Sequence, residues 1–138
     1  MFIRYKAASL AFALILLGVS VSSAIELPVQ DFQGIPFISG GVGLEEREEL
    51  GSIGAGYSLK LEFAQRGSGA YLADVQVMIE DTAGNRVFEA SSTGPWLLVG
   101  LPAGAYRVRA QSSGATVEAS VTIPTAGQAQ AVLRFPVD

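Results

Sequence analysis

The chain has 138 residues, no Cys, no His and a formal net charge of −4. That composition excludes disulfides, Cys-His and Ser-His-Asp nucleophilic constellations and the usual zinc ligand sets. The acidic balance and the lack of any basic cluster argue against binding to nucleic acid or anionic lipid.

In chain order, the first segment reads as a removable leader. Arg4 and Lys6 precede the uncharged run Ala7 to Val21, and Ser22-Ser23-Ala24 supplies small residues for a signal peptidase. The rival reading is a membrane anchor, but the apolar run is about 15 residues, short of the roughly 20 that cross a bilayer. No Lys or Arg cluster follows to stop transfer, and no Cys is present to carry a lipid. Cleavage after Ala24 is expected, giving a periplasmic or secreted protein with no membrane span in its mature form. The leader holds two cations and no acids, so the remaining 114 residues carry −6. This length suits a single domain with one core.

Residues 25–55 read as an extended N-terminal segment that ends in a short acidic helix. Leu27-Pro28, Gly34-Ile35-Pro36 and Ser39-Gly40-Gly41 oppose helix. The apolar residues Val29, Phe32, Ile35, Phe37 and Ile38 are candidates to lie across the domain or pair with it. Leu44 to Leu50 are good helix formers bounded by Gly43 and Gly51, with Glu45 and Glu46 suited to the helix N-terminus. A helix of about two turns is expected here.

From residue 56 the apolar period becomes two. Tyr57, Leu59, Leu61 and Phe63 alternate with Ser58, Lys60 and Glu62, and strands follow over 71–80, 86–91, 96–101, 106–110, 116–123 and 129–135. Turn clusters separate them, among them Arg66-Gly67-Ser68-Gly69, Asp81-Thr82-Ala83-Gly84-Asn85 and Ser112-Ser113-Gly114. The pattern predicts an all-β domain over 56–138, a seven-stranded antiparallel β-sandwich in which each sheet has one buried and one wet face. A barrel is the alternative.

Several pieces of residues 71–123 together resemble the carboxypeptidase regulatory-like domain, a transthyretin-like sandwich related to the collagen-adhesin B-type repeats. Leu72-Ala73-Asp74-Val75-Gln76-Val77 looks like the family's strand ending in V-x-V, and Asp81-Thr82-Ala83-Gly84 like its D-x-x-G turn. Gly94-Pro95-Trp96 stands where the family has Gly, any residue and an aromatic. Leu101-Pro102-Ala103-Gly104-Ala105-Tyr106-Arg107-Val108 matches its L-P-x-G-x-Y-x-V element most closely. In that element Pro102 presets the turn, Gly104 can take a positive φ, and Tyr106 and Val108 re-enter the core. The segment from Ile38 through the acidic helix is similar to an N-terminal extension of small proteobacterial exported proteins that carry this domain. The resemblance implies a fold and very little about activity. A transthyretin-like hydroxyisourate hydrolase exists, but its histidines and C-terminal Tyr-Arg-Gly-Ser have no match in this chain.

The remaining chemistry is sparse. Lys60, the only lysine after Ala24, falls on the outward side of its strand and reads as a solvated charge. An adhesin-type Lys–Asn isopeptide bond finds no Asn in the last strand. Glu45 to Glu49 lack the spacing of a calcium loop, and Gly40-Gly41-Val42-Gly43 lacks the ending of a phosphate loop. Trp96 has apolar neighbours that favour the core. If exposed, it would form a sugar-stacking platform with Tyr57 or Tyr71.

No enzyme activity and no cofactor or metal are expected. The expected function is a non-catalytic envelope binding or scaffolding module with a protein partner, or alternatively a carbohydrate-binding module. Candidate contact residues are Leu44, Glu45, Glu46, Glu49, Leu50 and Trp96, and candidate contact loops are 65–70 and 92–95.

Overall fold

A computed structural model describes residues 27–136, so the expected leader over 1–24 lies outside the described residues. Among the described residues the fold is mostly β, with two sheets and one α-helix. The described strands are β1 (Gln30–Phe32), β2 (Ile35–Gly40), β3 (Leu59–Gln65), β4 (Val75–Asp81), β5 (Arg86–Ser92), β6 (Trp96–Val99), β7 (Gly104–Ser112), β8 (Ala115–Ile123) and β9 (Ala129–Phe135). Helix α1 (Leu44–Ile53) runs into a 3₁₀ turn at Gly54–Gly56.

The structure has nine described strands where the sequence predicts seven. The two additional strands form a hairpin in the N-terminal segment. Its turn, Gln33-Gly34, takes φ values of 48° and 91°, and Asp31 Oδ2 accepts a hydrogen bond from the Gly34 N–H at 3.0 Å. Pro36 argues against helix in this stretch, which the sequence reads as extended and able to pair with the domain. The proline is tolerated because β2 pairs with β6 only from Phe37 onward, so the missing N–H costs no bond on that side.

One sheet has the order β1-β2-β6-β3-β9 and the other β5-β4-β7-β8. The second is antiparallel throughout. The first departs from the expected antiparallel arrangement, because β3 and β9 run parallel from Leu59↔Ala129 to Gln65↔Phe135. Side-chain alternation is the same in either direction, so sequence does not reveal this difference.

Alternate residues of both sheets meet in one core: Leu59, Leu61, Phe63, Leu97, Val99 and Leu133 from the first, and Val75, Val77, Ile79, Phe88, Val108 and Ala110 from the second. Phe32 and Phe37 reach this core from the N-terminal hairpin and pack edge-on against Phe88, at centroid separations of 5.8 and 5.1 Å. Where the chain passes from β5 to β6, Ser92-Thr93-Gly94-Pro95 is locked in place. Ser92 Oγ donates to Gly94 O at 2.6 Å, Phe63 N–H donates to Pro95 O at 2.8 Å, and Ser39 and Thr93 hydroxyls lie 2.9 Å apart. A β-carbon at Gly94 would overlap the Gly40 carbonyl, so only glycine fits there.

Candidate functional site

The outer faces of the two sheets differ, and the difference places the candidate site. The outer face of the four-stranded sheet is polar and internally paired. Arg109 Nε donates to Glu118 Oε1 at 2.8 Å, Arg107 lies 3.8 Å from the same carboxylate, and Arg86 bonds Glu89 at 2.7 Å. A shallow depression of about 430 Å³ on this face is lined by Glu80, Asp81, Tyr106, Arg107, Arg109 and Ser120. Arg107 and Arg109 both lie beside the Glu118 carboxylate there, and Asp81 is engaged by its own turn.

At the rim of this face Asp81 organises its turn. Its carboxylate accepts from the Asn85 N–H at 2.9 Å, the Asn85 Nδ2 at 3.2 Å and the Ala83 N–H at 3.0 Å. These bonds, the one from the Asn85 backbone foremost, hold its pKa below the ordinary carboxylate value. Tyr106 OH donates to Pro102 O at 2.8 Å and so closes the Leu101–Val108 element on itself. Burial first, and the Asp81 charge second, raise the Tyr106 pKa. The Asp-x-x-Gly turn and the Leu-Pro-x-Gly-x-Tyr element are thus neighbours, each held by its own side chain.

Over β2 and β6 the outer face of the five-stranded sheet carries a second, smaller apolar cluster, while Gln130, Val132 and Arg134 of β9 stay exposed. Leu50 of α1 packs on Ile38 and Leu98, flanked by Leu27, Ile53, Tyr57 and Trp96. Both ends of the helix region are tied down. Near its start, Glu46 Oε1 accepts from the Gly41 N–H at 3.2 Å and Arg47 Nη1 donates to Gly41 O at 3.0 Å. Beyond its end, Gln128 Nε2 donates to Gly54 O at 2.6 Å and Tyr57 O at 3.0 Å. Arg47 also lies over the Tyr71 ring, 5.3 Å from its centroid.

This docking sorts the six candidate residues. Leu50 is 1% exposed and holds the helix to the sheet, so it is not a contact residue in the folded chain. Glu46 is committed to Gly41, and Glu49 is half-buried. Leu44 and Glu45 face solvent, as does Glu48 on the same stripe. Leu44 is 64% exposed, Val42 59% and Tyr71 50%. Val42, missed in sequence, joins the candidate surface, as does Tyr71, which the sequence offered only as a stacking partner of Trp96. The strand expected over 71–80 begins only at Val75, so Tyr71 lies outside β4, opposite Ala64 in an isolated bridge, where strand alternation does not draw it inward.

Trp96 is half-buried in the outer cluster and lies outside the main core. Lys60 Nζ sits 3.7 Å from the centroid of its ring and 3.3 Å from Glu62 Oε1, with the Lys60 side chain only 20% exposed. Lys60 is therefore not the freely solvated charge that strand alternation predicted, because Trp96 and Glu62 cover it. The Trp96 Nε1–H is buried without a hydrogen-bond partner.

Of the two favoured loops, Arg66–Ala70 is exposed, whereas Ser92, Gly94 and Pro95 are buried, leaving Thr93 alone exposed at that crossing. Among the described residues, no three His, Cys, Asp or Glu side chains are grouped to hold a metal ion. No described helix is long and apolar enough to cross a membrane. Compared with known proteins, the chain matches no family model and no curated protein.

Proposed function

We propose that the chain is a non-catalytic binding or scaffolding module of the cell envelope, built on a transthyretin-like β-sandwich of the carboxypeptidase regulatory-like kind and exported by a leader cleaved after Ala24. The observation that carries the reading is the acidic helix. It is fixed to a rigid sheet by Leu50, Glu46, Arg47 and Gln128, yet it presents Leu44, Glu45 and Glu48 to solvent beside Val42 and Tyr71. Exposed apolar groups on a rigid, charged element suit a protein partner with a complementary apolar and basic surface. The two sheets sharing one core support the sandwich, and the self-closed Tyr106 turn supports the family likeness.

The test is crosslinked capture from the periplasm with the wild-type chain and with Leu44→Asp, a position whose exposure leaves the fold undisturbed. A partner recovered by the first and lost by the second is expected. No captured protein, or the same capture by both, counts against the reading. The carbohydrate reading has less support, because Lys60 occupies a face of the Trp96 ring that a sugar would need. Tryptophan fluorescence is accordingly expected to stay unquenched during oligosaccharide titration.

A further inference from the structure

Trp96, Lys60 and Glu62 meet on the outer face of the five-stranded sheet, and strand pairing fixes how. Glu62 lies directly opposite Trp96 across β3 and β6, and Lys60 is two residues earlier on the same side of β3. Lys60 Nζ is 3.7 Å from the centroid of the Trp96 ring and 3.3 Å from Glu62 Oε1. Gly41, at a φ of 96°, lets the chain close against the ring, because a β-carbon there would come within 3.2 Å of Trp96 Cγ. An aromatic face with a carboxylate beside it is half of the cage that recognises organic cations. Here the chain's own ammonium fills it.

That occupant is poorly suited to a purely structural part. Of the seven cations after Ala24, six are arginine and Lys60 alone is lysine. Arginine stacks on aromatic faces more readily and holds a carboxylate in a fixed fork, whereas a lysine ammonium is compact, strongly hydrated and carried on a flexible stem. Covering the side chain to 20% exposure costs hydration and rotamer freedom. Lysine is thus the cation that leaves the ring more easily, and it has somewhere to go. A groove of about 290 Å³ lined by Lys60, Glu62, Gln130, Ala131 and Val132 opens beside it. Gln130 is level with Lys60 across β3 and β9. Its Nε2 is engaged by Gln128, which leaves its amide oxygen to accept the displaced ammonium.

We propose that Trp96 and Glu62 form a binding site for a small quaternary ammonium compound, which Lys60 occupies in its absence and vacates for the groove when the ligand arrives. The ligand class follows from the competition. A second primary ammonium would lose as much hydration as Lys60 and lacks its tether. A trimethylammonium head has no N–H to leave unbonded and gains from the ring face and the carboxylate together. Val132, opposite Glu62 across β3 and β9 and 43% exposed, offers its methyl groups an apolar wall. The site is built on β3, β6 and β9, so it stands whatever docks on α1.

Trp96 is the one tryptophan of the chain, so its emission reports on the site directly. Titration of the wild-type protein with choline chloride is expected to give a saturable change that sodium chloride at equal ionic strength does not give. Lys60→Met empties the ring and is expected to tighten binding roughly tenfold. Lys60→Arg keeps the charge but stacks more firmly, so it is expected to weaken binding, as is Glu62→Gln. The uncharged tert-butyl analogue of choline is expected to leave the emission unchanged. Phosphatidylcholine vesicles distinguish a soluble ligand from a lipid headgroup. No sedimentation with them is expected, and sedimentation that excess choline reverses assigns the same site to the headgroup. An unchanged circular dichroism spectrum is expected to confirm the fold of each variant. Wild-type emission unmoved by choline, equal affinities in Lys60→Met and Lys60→Arg, or an equal response to the uncharged analogue overturns the proposal.

Discussion

The two sheets share one core but treat their outer faces differently. β4 reads Val-Gln-Val-Met-Ile-Glu and β3 reads Leu-Lys-Leu-Glu-Phe, the same alternation by eye. The outward residues of β4 join a polar, charge-paired surface, while Lys60 and Glu62 of β3 pair with each other beneath a half-buried tryptophan. Alternation therefore identifies the side of a strand that enters the main core and leaves open whether the other side meets water. The more telling signal is in β6, where Trp96-Leu97-Leu98-Val99 is unbroken and apolar, as expected of a strand covered on both faces.

Mutations that probe the two apolar clusters test this contrast. Phe63→Ala, in the shared core, is expected to cost about 3–5 kcal/mol by denaturant unfolding and to lower the midpoint of the whole transition. Leu50→Ala removes the anchor of the outer cluster and is expected to cost about 2–4 kcal/mol. Its signature is more local: amide exchange in α1 accelerates while β4 and β7 stay protected. Equal loss of protection in both regions would show that the helix and the shared core unfold as one unit.

On the wet side the expected effects are smaller. The folded pKa of Asp81 lies below its unfolded value, so its hydrogen bonds stabilise the fold above the unfolded carboxylate pKa, and that contribution is lost as pH falls through the folded value. Asp81→Ala should flatten this part of an acid stability profile and leave neutral-pH sheet content unchanged. Smallest of all, Arg109→Gln, which breaks an exposed ion pair, is expected to cost at most about 1 kcal/mol and less at high salt.

Most of the strands from β3 to β9 were legible from a period of two between turn residues, β6 from its short apolar run, and the acidic helix from helix-forming residues between Gly43 and Gly51. The N-terminal hairpin was legible only as an extended segment able to pair with the domain, since its prolines exclude helix without defining strands and the partner strand β6 fixes the pairing. The resting place of α1 was hidden for a related reason. Its inward face offers only Leu50 and Ile53 as apolar contacts, and polar bonds from Glu46 and Arg47 supply the rest. Those bonds depend on Gly41, which no helical periodicity points to. Leu44 and Leu50 looked alike as flanks of a charged run, but their exposures, 64% and 1%, give them opposite roles. Lys60 shows the same limit, because strand parity put it on the outer side and Trp96 then covered it.

The parallel union of β3 with β9 has a consequence for how the polypeptide matures. Leu59 waits for Ala129, so the interior of the five-stranded layer stays incomplete until β9 has emerged from the ribosome or from any conduit it traverses. Pairing so distant in sequence slows closure. A chain stalled before β9 emerges would leave Leu61 and Phe63 with an open flank, the state most vulnerable to proteases and to mispairing with its neighbours.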